Sequence, residues 1–224
     1  MRYEVGYVPF GSTSLVNKLV RDYLQDDAFL KPFHSGYPDL KNIAESAAFR
    51  KQIPLNRKTL TAVLTDQYRQ SGILGPGIEK QIQRLEEPNT FTVTTGQQVG
   101  IFLGPAYTLM KILSCIRLAE ELNRFNPENH YIPVFWMATE DHDVEEIRHH
   151  WYKGELYSWE TKQTGPVGRF HTQGLQELIR RMRGKTGLTA DLSALFDLFE
   201  KAYAAPNLAD ATRRIAHELF SARG

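Results

Sequence analysis

The stretch from residue 90 to residue 143 constrains the fold of this chain more strongly than any other. Two short apolar runs, TFTVTTG from residue 90 and HYIPVFWMATEDHD from residue 130, flank a long segment, PAYTLMKILSCIRLAEELNRF. The two runs have the β-branched and aromatic content of strands, and the segment between them has apolar residues at helical spacing. The order strand, helix, strand predicts the unit from which parallel sheets are built.

The domain organisation is predicted as three segments. Residues 1–88 have the amphipathic spacing of helices and are expected to form a helical layer that packs on the core. Residues 89–150 hold the strand–helix–strand unit, and residues 151–224 are expected to form a strand or hairpin followed by a helical insertion. A parallel sheet of only two strands is poorly stable, so we expect more sheet to follow and the chain to be truncated.

Composition excludes several classes of protein. The net charge is +1, which gives no reason to expect a nucleic-acid partner. No stretch reaches the length of about 20 apolar residues that a membrane span needs, and no signal peptide is visible. Cys115 is the only cysteine, so an intramolecular disulfide is excluded. The chain is therefore predicted to be cytoplasmic, with Cys115 as a buried structural thiol.

The first predicted strand ends in a cluster of hydroxyls, amides and glycines. Glycines let the backbone approach a ligand, and the helix that follows offers free N–H groups to an anion. On that helix a polar face is expected to continue to Lys111. A tight turn with helix capping is the alternative reading. The predicted mouth, suited to a phosphate or carboxylate, comprises Thr94, Thr95, Gly96, Gln97, Gln98, Gly100, Gly104, Tyr107, Thr108 and Lys111.

The second predicted strand ends in four consecutive ionisable residues, Glu140, Asp141, His142 and Asp143. Burying unpaired charge is costly, so these side chains must reach solvent, a ligand or a metal. A histidine between carboxylates can act as an acid or a base near neutral pH. Because parallel strands place their carboxyl ends at one edge, this cluster is predicted to lie beside the first. A polar loop followed by a solvated helix is the alternative.

A metal site is a further alternative at this cluster. If a helix began near Asp143, then Asp143, Glu146 and His150 would share one face, and so would His142, Glu146 and His149. Two histidines and a carboxylate could bind zinc or iron and support a metal-dependent hydrolase. The motif H-E-x-x-H is not present, and we expect no metal.

Two long motifs in order make the sequence resemble a known family. TGQQVGIFLGPAYTLMK and PVFWMATEDHDVEEI closely resemble the cysteine ligases of bacillithiol biosynthesis. The likeness also covers VPFGSTSLVNKLVRDYL near the N-terminus and GPVGRF from Gly165, so it spans essentially the whole chain. The resemblance implies an α/β fold with a Rossmann-like parallel sheet core, similar to class I aminoacyl-tRNA synthetases and nucleotidyltransferases. Members are more than twice as long and carry a C-terminal coiled coil, through which a homodimer is plausible.

The activity implied by the resemblance is the addition of cysteine to glucosaminyl-malate, through an amide bond between the cysteine carboxyl and the glucosamine amine. His142, Asp141 and Asp143 then become candidate catalytic residues, and either His142 or Asp141 would take the proton from the amine. Lys111 and the helix N-terminus would hold a malate carboxylate or a phosphate. The implied substrate-binding residues are Thr95, Gly96, Gln97, Gln98, Gly104, Pro105, Tyr107, Thr108, Lys111 and Glu140.

One departure bears on the cofactor. Class I synthetases carry a histidine-glycine-histidine motif at the first helix, and GPAYT stands at that place here, from Gly104 to Thr108. ATP is therefore an expectation from the ligase resemblance rather than from the residues. The alternative functions are a fragment that binds sugar-malate or another small anion without chemistry, and the metal-dependent hydrolase described above.

Overall fold

The computed structural model describes residues 4, 6–25, 28–185, 187 and 189–223. The chain divides into two compact units, Met1–Pro54 and Leu55–Gly224. In the first unit, helix α1 spans Lys18–Leu24 and helix α2 spans Leu40–Arg50. Both begin at a side chain that accepts a backbone N–H of the first turn, Asn17 for α1 and Asp39 for α2. The predicted domain boundaries at residues 88 and 150 stay predictions.

The second unit opens with two helices and then forms the predicted parallel sheet. Helices α3 and α4 span Arg57–Gln70 and Pro76–Arg84. Strands β1, Thr90–Gln98, and β2, His130–Ala138, pair in parallel, which confirms the strand–helix–strand prediction. Helix α5, Ala106–Phe125, connects them.

The later part of the second unit is mostly helical. A four-residue helix, α6, spans Val144–Ile147. The predicted hairpin follows as antiparallel strands β3, His149–Tyr152, and β4, Glu155–Ser158. Three more α-helices lie among the described residues after the hairpin: α7, Leu175–Arg183; α8, Ala190–Ala202; and α9, Leu208–Phe220. In the described part of the chain, no helix is both long and apolar enough to cross a membrane.

One core joins the sheet to the later helices. It includes Ile112 and Ile116 of α5, Trp159 after the hairpin, and apolar residues of α7, α8 and α9. Because α5 contributes to this core, its position depends on residues that lie about 100 positions later in the chain. Asn123 in the last turns of α5 also holds the start of β2, since its side chain bonds both the N–H and the carbonyl of Tyr131, at 2.9 and 2.8 Å.

Candidate active site at the carboxyl edge of the sheet

Both polar clusters lie at the carboxyl edge of the parallel sheet. Gly96 lies opposite Trp136 and Gln98 lies opposite Ala138, so β1 and β2 end at the same level. Thr94 to Gln98 are the last residues of β1, whereas Thr139 to Asp143 follow β2. The pairing therefore brings together two clusters that are more than 40 positions apart in sequence.

The turn from β1 to α5 has an unusual backbone. Phe102 and Leu103 have positive φ angles of 56° and 71°, which cost energy for residues with a side chain. Gly104 follows with φ 79°. A Cβ on Gly100 would lie 3.0 Å from the Cα of Gly104, so these two glycines permit a close backbone approach. Pro105 is the N-cap of α5, one position before the first turn.

A chain of hydrogen bonds links β1 to the first turns of α5. The Lys111 ammonium donates to the carbonyl of Gly96 at 2.6 Å and to Oε1 of Gln97 at 3.2 Å. The Gln97 amide donates to the Tyr107 hydroxyl at 3.2 Å and to Oε1 of Gln98 at 2.9 Å. We call this surface the cationic wall of the site. All of its residues belong to the anion-binding mouth predicted from the sequence: Gly96, Gln97, Gln98, Tyr107 and Lys111.

The acidic loop, residues 139–143, is held by its own carboxylates. Asp141 Oδ1 accepts the backbone N–H groups of His142 and Asp143, at 2.6 and 3.0 Å. These bonds, chiefly the one from Asp143, together with a bond from the Gln98 side chain, lower the pKa of Asp141 from its ordinary value. Asp143 caps α6 by accepting the N–H of Glu146 at 3.2 Å. The side chains of Glu140 and His142 are exposed.

Gln98 joins the two walls of the site. Its amide donates to the carboxylate of Glu146, and it also bonds Asp141. Its carbonyl oxygen accepts from Gln97 on the cationic wall. An amide is suited to this position because it has both donors and an acceptor on one group. The two sequence clusters therefore form one continuous polar surface, as predicted.

Two predicted substrate-binding residues have different surroundings. Thr108 is only 1% exposed, and among the described residues its hydroxyl has no hydrogen-bond partner. Thr95 lines a separate cavity of ≈ 220 Å³ between the sheet, α3, α4, α5 and α9. Cys115 lines the same cavity, and its thiol donates to the carbonyl of Val93 at 2.8 Å. Burial raises the pKa of this thiol, and the prediction that Cys115 is buried is confirmed, whereas its structural role stays a prediction.

The structure overturns the helical arrangement behind the metal-hydrolase alternative. Helix α6 ends at Ile147, and His149 and His150 belong to strand β3. A strand does not repeat at three and four positions, so neither proposed triad with Glu146 shares a helix face. The ring of His150 packs edge-on against Phe102, with centroids 5.0 Å apart. No group of three or more metal-binding side chains occurs within residues 4, 6–25, 28–185, 187 and 189–223.

A turn that the sequence did not predict to be near the site holds the acidic loop in place. The GPVGRF segment forms a 3₁₀ turn at Val167–Arg169, and the N–H groups of Val167 and Gly168 donate to the carbonyls of Asp141 and Thr139, at 2.7 and 2.9 Å. A Cβ on Gly168 would lie 2.5 Å from Thr139 Cβ. Glycine is therefore required for this contact. The sequence signal for this contact is the GPVGRF motif, which the sequence shares with the family that it resembles.

The family comparison matches almost the entire chain. The description "Bacillithiol biosynthesis BshC, N-terminal Rossmann-like domain" matches residues 3–224. The chain belongs to the BshC family. The Rossmann-like core and the family resemblance inferred from the two motifs are thereby confirmed.

Curated relatives agree with this placement. The chain is 38% identical over 223 residues to a protein of Cytophaga hutchinsonii and 39% identical over 223 residues to one of Flavobacterium johnsoniae, covering 99% and 97% of this chain. A protein of Salinibacter ruber is 32% identical over 216 residues. Each is named "Putative cysteine ligase BshC". The chain spans 41% of the length of the first two BshC relatives and 39% of the third.

The contact between Gly168 and Thr139 predicts the effect of a single added methyl group. Gly168→Ala should displace the acidic loop, because the Cβ would also lie 2.8 Å from the Thr139 carbonyl oxygen. We expect a loss of about 1–3 kcal/mol in the free energy of unfolding, measured by urea denaturation. Gly77→Ala is the matched control, since a Cβ there meets no atom within 4 Å. Equal stabilities for the two variants would contradict the proposed contact.

The half-buried imidazole of His150 predicts a dependence of stability on pH. Burial lowers its pKa below the ordinary value of 6.5, so the unfolded chain binds more protons than the folded one near that pH. The stability contributed by neutral His150 is therefore present above pH 6.5 and lost as pH falls through its folded pKa.

The measurement is the free energy of unfolding between about pH 7.5 and 5.5 for the wild type and for His150→Phe, which retains an aromatic ring beside Phe102. We expect a smaller decrease in the variant. Burial also lowers the pKa of His130, which accounts for part of the remaining decrease. An unchanged pH dependence in His150→Phe would contradict the assignment to His150.

Proposed function

We propose that this chain provides the Rossmann-like part of a ligase that joins the carboxyl group of cysteine to the amine of glucosaminyl-malate, a step of bacillithiol biosynthesis. Family membership supports this proposal, as do the relatives' names. The observation that carries it is the Gln98 bridge, which bonds Gln97 on the cationic wall, Asp141 in the acidic, histidine-containing loop and Glu146 on the helix after that loop. A substrate with carboxylates at one end and an amine at the other requires both kinds of group.

His142 is the proposed general base. The sugar amine must be neutral to attack, so a side chain must accept a proton during the reaction. Asp141 is less suited to this role, because its bound N–H donors stabilise the carboxylate and lower its pKa. Asp143 is committed to capping α6. His142 is exposed and carries an imidazole, the side chain that most often serves as a general base in enzymes. Asp141 and Asp143 then act by orienting the loop that carries His142.

Lys111 and the start of α5 are the proposed site for the malate carboxylates. A lysine ammonium has three donors, and two of those on Lys111 point to Gly96 and Gln97. The third remains available to an anion. The first N–H groups of α5 add further donors and a favourable helix dipole. Tyr107, whose ring lies 5.8 Å from the Lys111 ammonium, forms the adjoining wall.

The acidic loop is also the proposed site for the ammonium group of cysteine. Glu140 is exposed two positions after the end of β2, at the same edge of the sheet as Lys111. A carboxylate there would neutralise the cysteine ammonium while the carboxyl end points toward the sugar amine. Opposite charges on the two walls would thus align the two substrates in one orientation.

An activator of the cysteine carboxylate is required, because a free carboxylate does not acylate an amine. We propose ATP for this role. Transfer of a phosphoryl or adenylyl group from ATP to the cysteine carboxylate would give it a leaving group, phosphate or AMP, that the sugar amine displaces. For the whole protein we further propose a homodimer located in the cytoplasm, with small-molecule substrates and no nucleic-acid or membrane partner.

The test is direct detection of product by mass spectrometry. The chain and the product of the complete gene are each incubated with glucosaminyl-malate, cysteine and ATP, with and without each component. We expect bacillithiol from the complete gene product, only when ATP is present. If neither protein forms product while both bind glucosaminyl-malate by calorimetry, the ligase proposal is wrong and the site is a binding site without chemistry.

Two pairs of variants test the residue roles in whichever protein is active. His142→Gln should lower kcat by roughly 100-fold with a small change in KM, as expected for loss of a general base. His149→Gln is the control, since its imidazole bonds Ser158 and Glu145 outside the proposed site. Lys111→Met should raise KM for glucosaminyl-malate by roughly tenfold, whereas exposed Lys201→Met should not. Full turnover in His142→Gln would contradict the base assignment.

A further inference from the structure

The turn between β1 and α5 is strained, yet it is buried in the core. Phe102 and Leu103 have left-handed φ angles, and both are at least 94% buried, with exposures of 6% and 4%. Side-chain residues rarely adopt this conformation unless the surroundings enforce it. Glycine or asparagine would relieve the strain at either position, so the cost must be met by contacts elsewhere.

The compensating polar contact comes from a residue 101 positions later. The N–H of Phe102 donates to the hydroxyl of Tyr203, which follows the last turn of α8. Tyr203 is 3% exposed, and burial raises the pKa of its phenol, so the hydroxyl stays neutral. Without this oxygen, a backbone N–H in the core would have no acceptor, which costs more than an ordinary hydrogen bond contributes.

Apolar and backbone contacts fix both partners of this bond. The ring of Phe102 lies edge-on to Tyr203, Phe199 and His150, with centroids 5.8, 5.0 and 5.0 Å away. The backbone of Tyr203 is held in turn, because the Thr172 hydroxyl donates to its carbonyl at 2.9 Å. Residues from the later part of the chain therefore hold the strained turn through both apolar contacts and hydrogen bonds.

The strained turn leads directly into the cationic wall of the proposed site. Only Gly104 and Pro105 separate Leu103 from the first residue of α5, and Tyr107 and Lys111 lie in the first two turns of that helix. A shift of the turn would move the start of α5 relative to β1. The Lys111 bond to the Gly96 carbonyl spans this gap and is the contact most directly affected.

We propose that Tyr203 is a positioning residue for the active site: its hydroxyl holds the Phe102 backbone and thereby sets the place of Lys111 and the α5 N-terminus. The inference rests on the proposed function for its catalytic consequence, but the structural relation holds independently of it. It also assigns a role in the site to the α8–α9 segment, which lies outside the two sequence clusters.

The variant that isolates the hydroxyl is Tyr203→Phe, and Tyr152→Phe is the matched control. Tyr152 is partly buried and packs against the same core, and among the described residues its buried hydroxyl oxygen has no hydrogen-bond partner. Hydrogen exchange followed by NMR on the chain should show the Phe102 amide exchanging roughly tenfold faster in Tyr203→Phe than in the wild type. Tyr152→Phe should leave this amide unchanged. An unchanged Phe102 amide in Tyr203→Phe would overturn the proposal.

A second readout separates positioning from general stability. The rate at which a small acylating reagent labels Lys111, measured by mass spectrometry under native conditions, should rise roughly threefold in Tyr203→Phe as the Gly96 contact loosens. Lys58, an exposed residue of α3 that is distant in sequence from both the turn and Tyr203, serves as the internal reference. Faster exchange at Phe102 with unchanged labelling of Lys111 would mean that Tyr203 is structural only, and would also overturn the proposal.

A second variant and a kinetic measurement complete the test of Tyr203. If Tyr203→Phe does not fold, Thr172→Val retains the hydroxyl of Tyr203 but loosens its backbone, and the same change in Lys111 labelling is expected, to a smaller extent. In the product of the complete gene, Tyr203→Phe should raise KM for glucosaminyl-malate more than it lowers kcat. A wild-type protein that makes no product contradicts the proposed function alone, because amide exchange and lysine labelling still decide the role of Tyr203.

Discussion

Parallel pairing of β1 with β2 is the constraint on which the rest of the site depends. Because both strands run in one direction and end at one level, the amides of Gln97 and Gln98 meet the acidic loop at a single edge. The long crossover through α5 then brings a helix N-terminus and Lys111 to the same place. The polar surface is thus a consequence of strand direction, since an antiparallel partner would carry its carboxyl end to the opposite edge.

Segments from much later in the chain make this edge rigid. The 3₁₀ turn at Val167–Arg169 binds the backbone of the acidic loop, and Tyr203 binds the strained turn before α5. Neither segment supplies a group to the polar surface itself. They hold backbone segments in place, and the turn before α5 is in an energetically unfavourable conformation. Contacts of this kind maintain backbone strain at many functional sites.

The chemistry of the surface follows from the division of charge across the Gln98 bridge. One wall presents an ammonium and amide donors, and the other presents carboxylates and an imidazole. Substrates that carry carboxylates at one end and an amine at the other would be aligned by such a surface before any bond forms. This arrangement agrees with the BshC family to which the chain belongs, and the relatives extend well beyond the part of the fold described above.

The sequence by itself determined the helices and strands and their order, because hydrophobic periodicity and the glycines that end each element are local properties. It predicted the strand–helix–strand unit, the hairpin, the helical segment after the hairpin and the two polar clusters. The helical face considered for a metal site was wrong at His149 and His150, because the helix ends at Ile147 and these two residues belong to a strand. Only the tertiary structure decided that Gln98 bridges the clusters, that Gly168 must lack a side chain, and that Tyr203 holds Phe102. The Gln98 and Tyr203 contacts join residues 43 to 101 positions apart, and the Gly168 contact depends on a close approach to Thr139; no local sequence pattern records either.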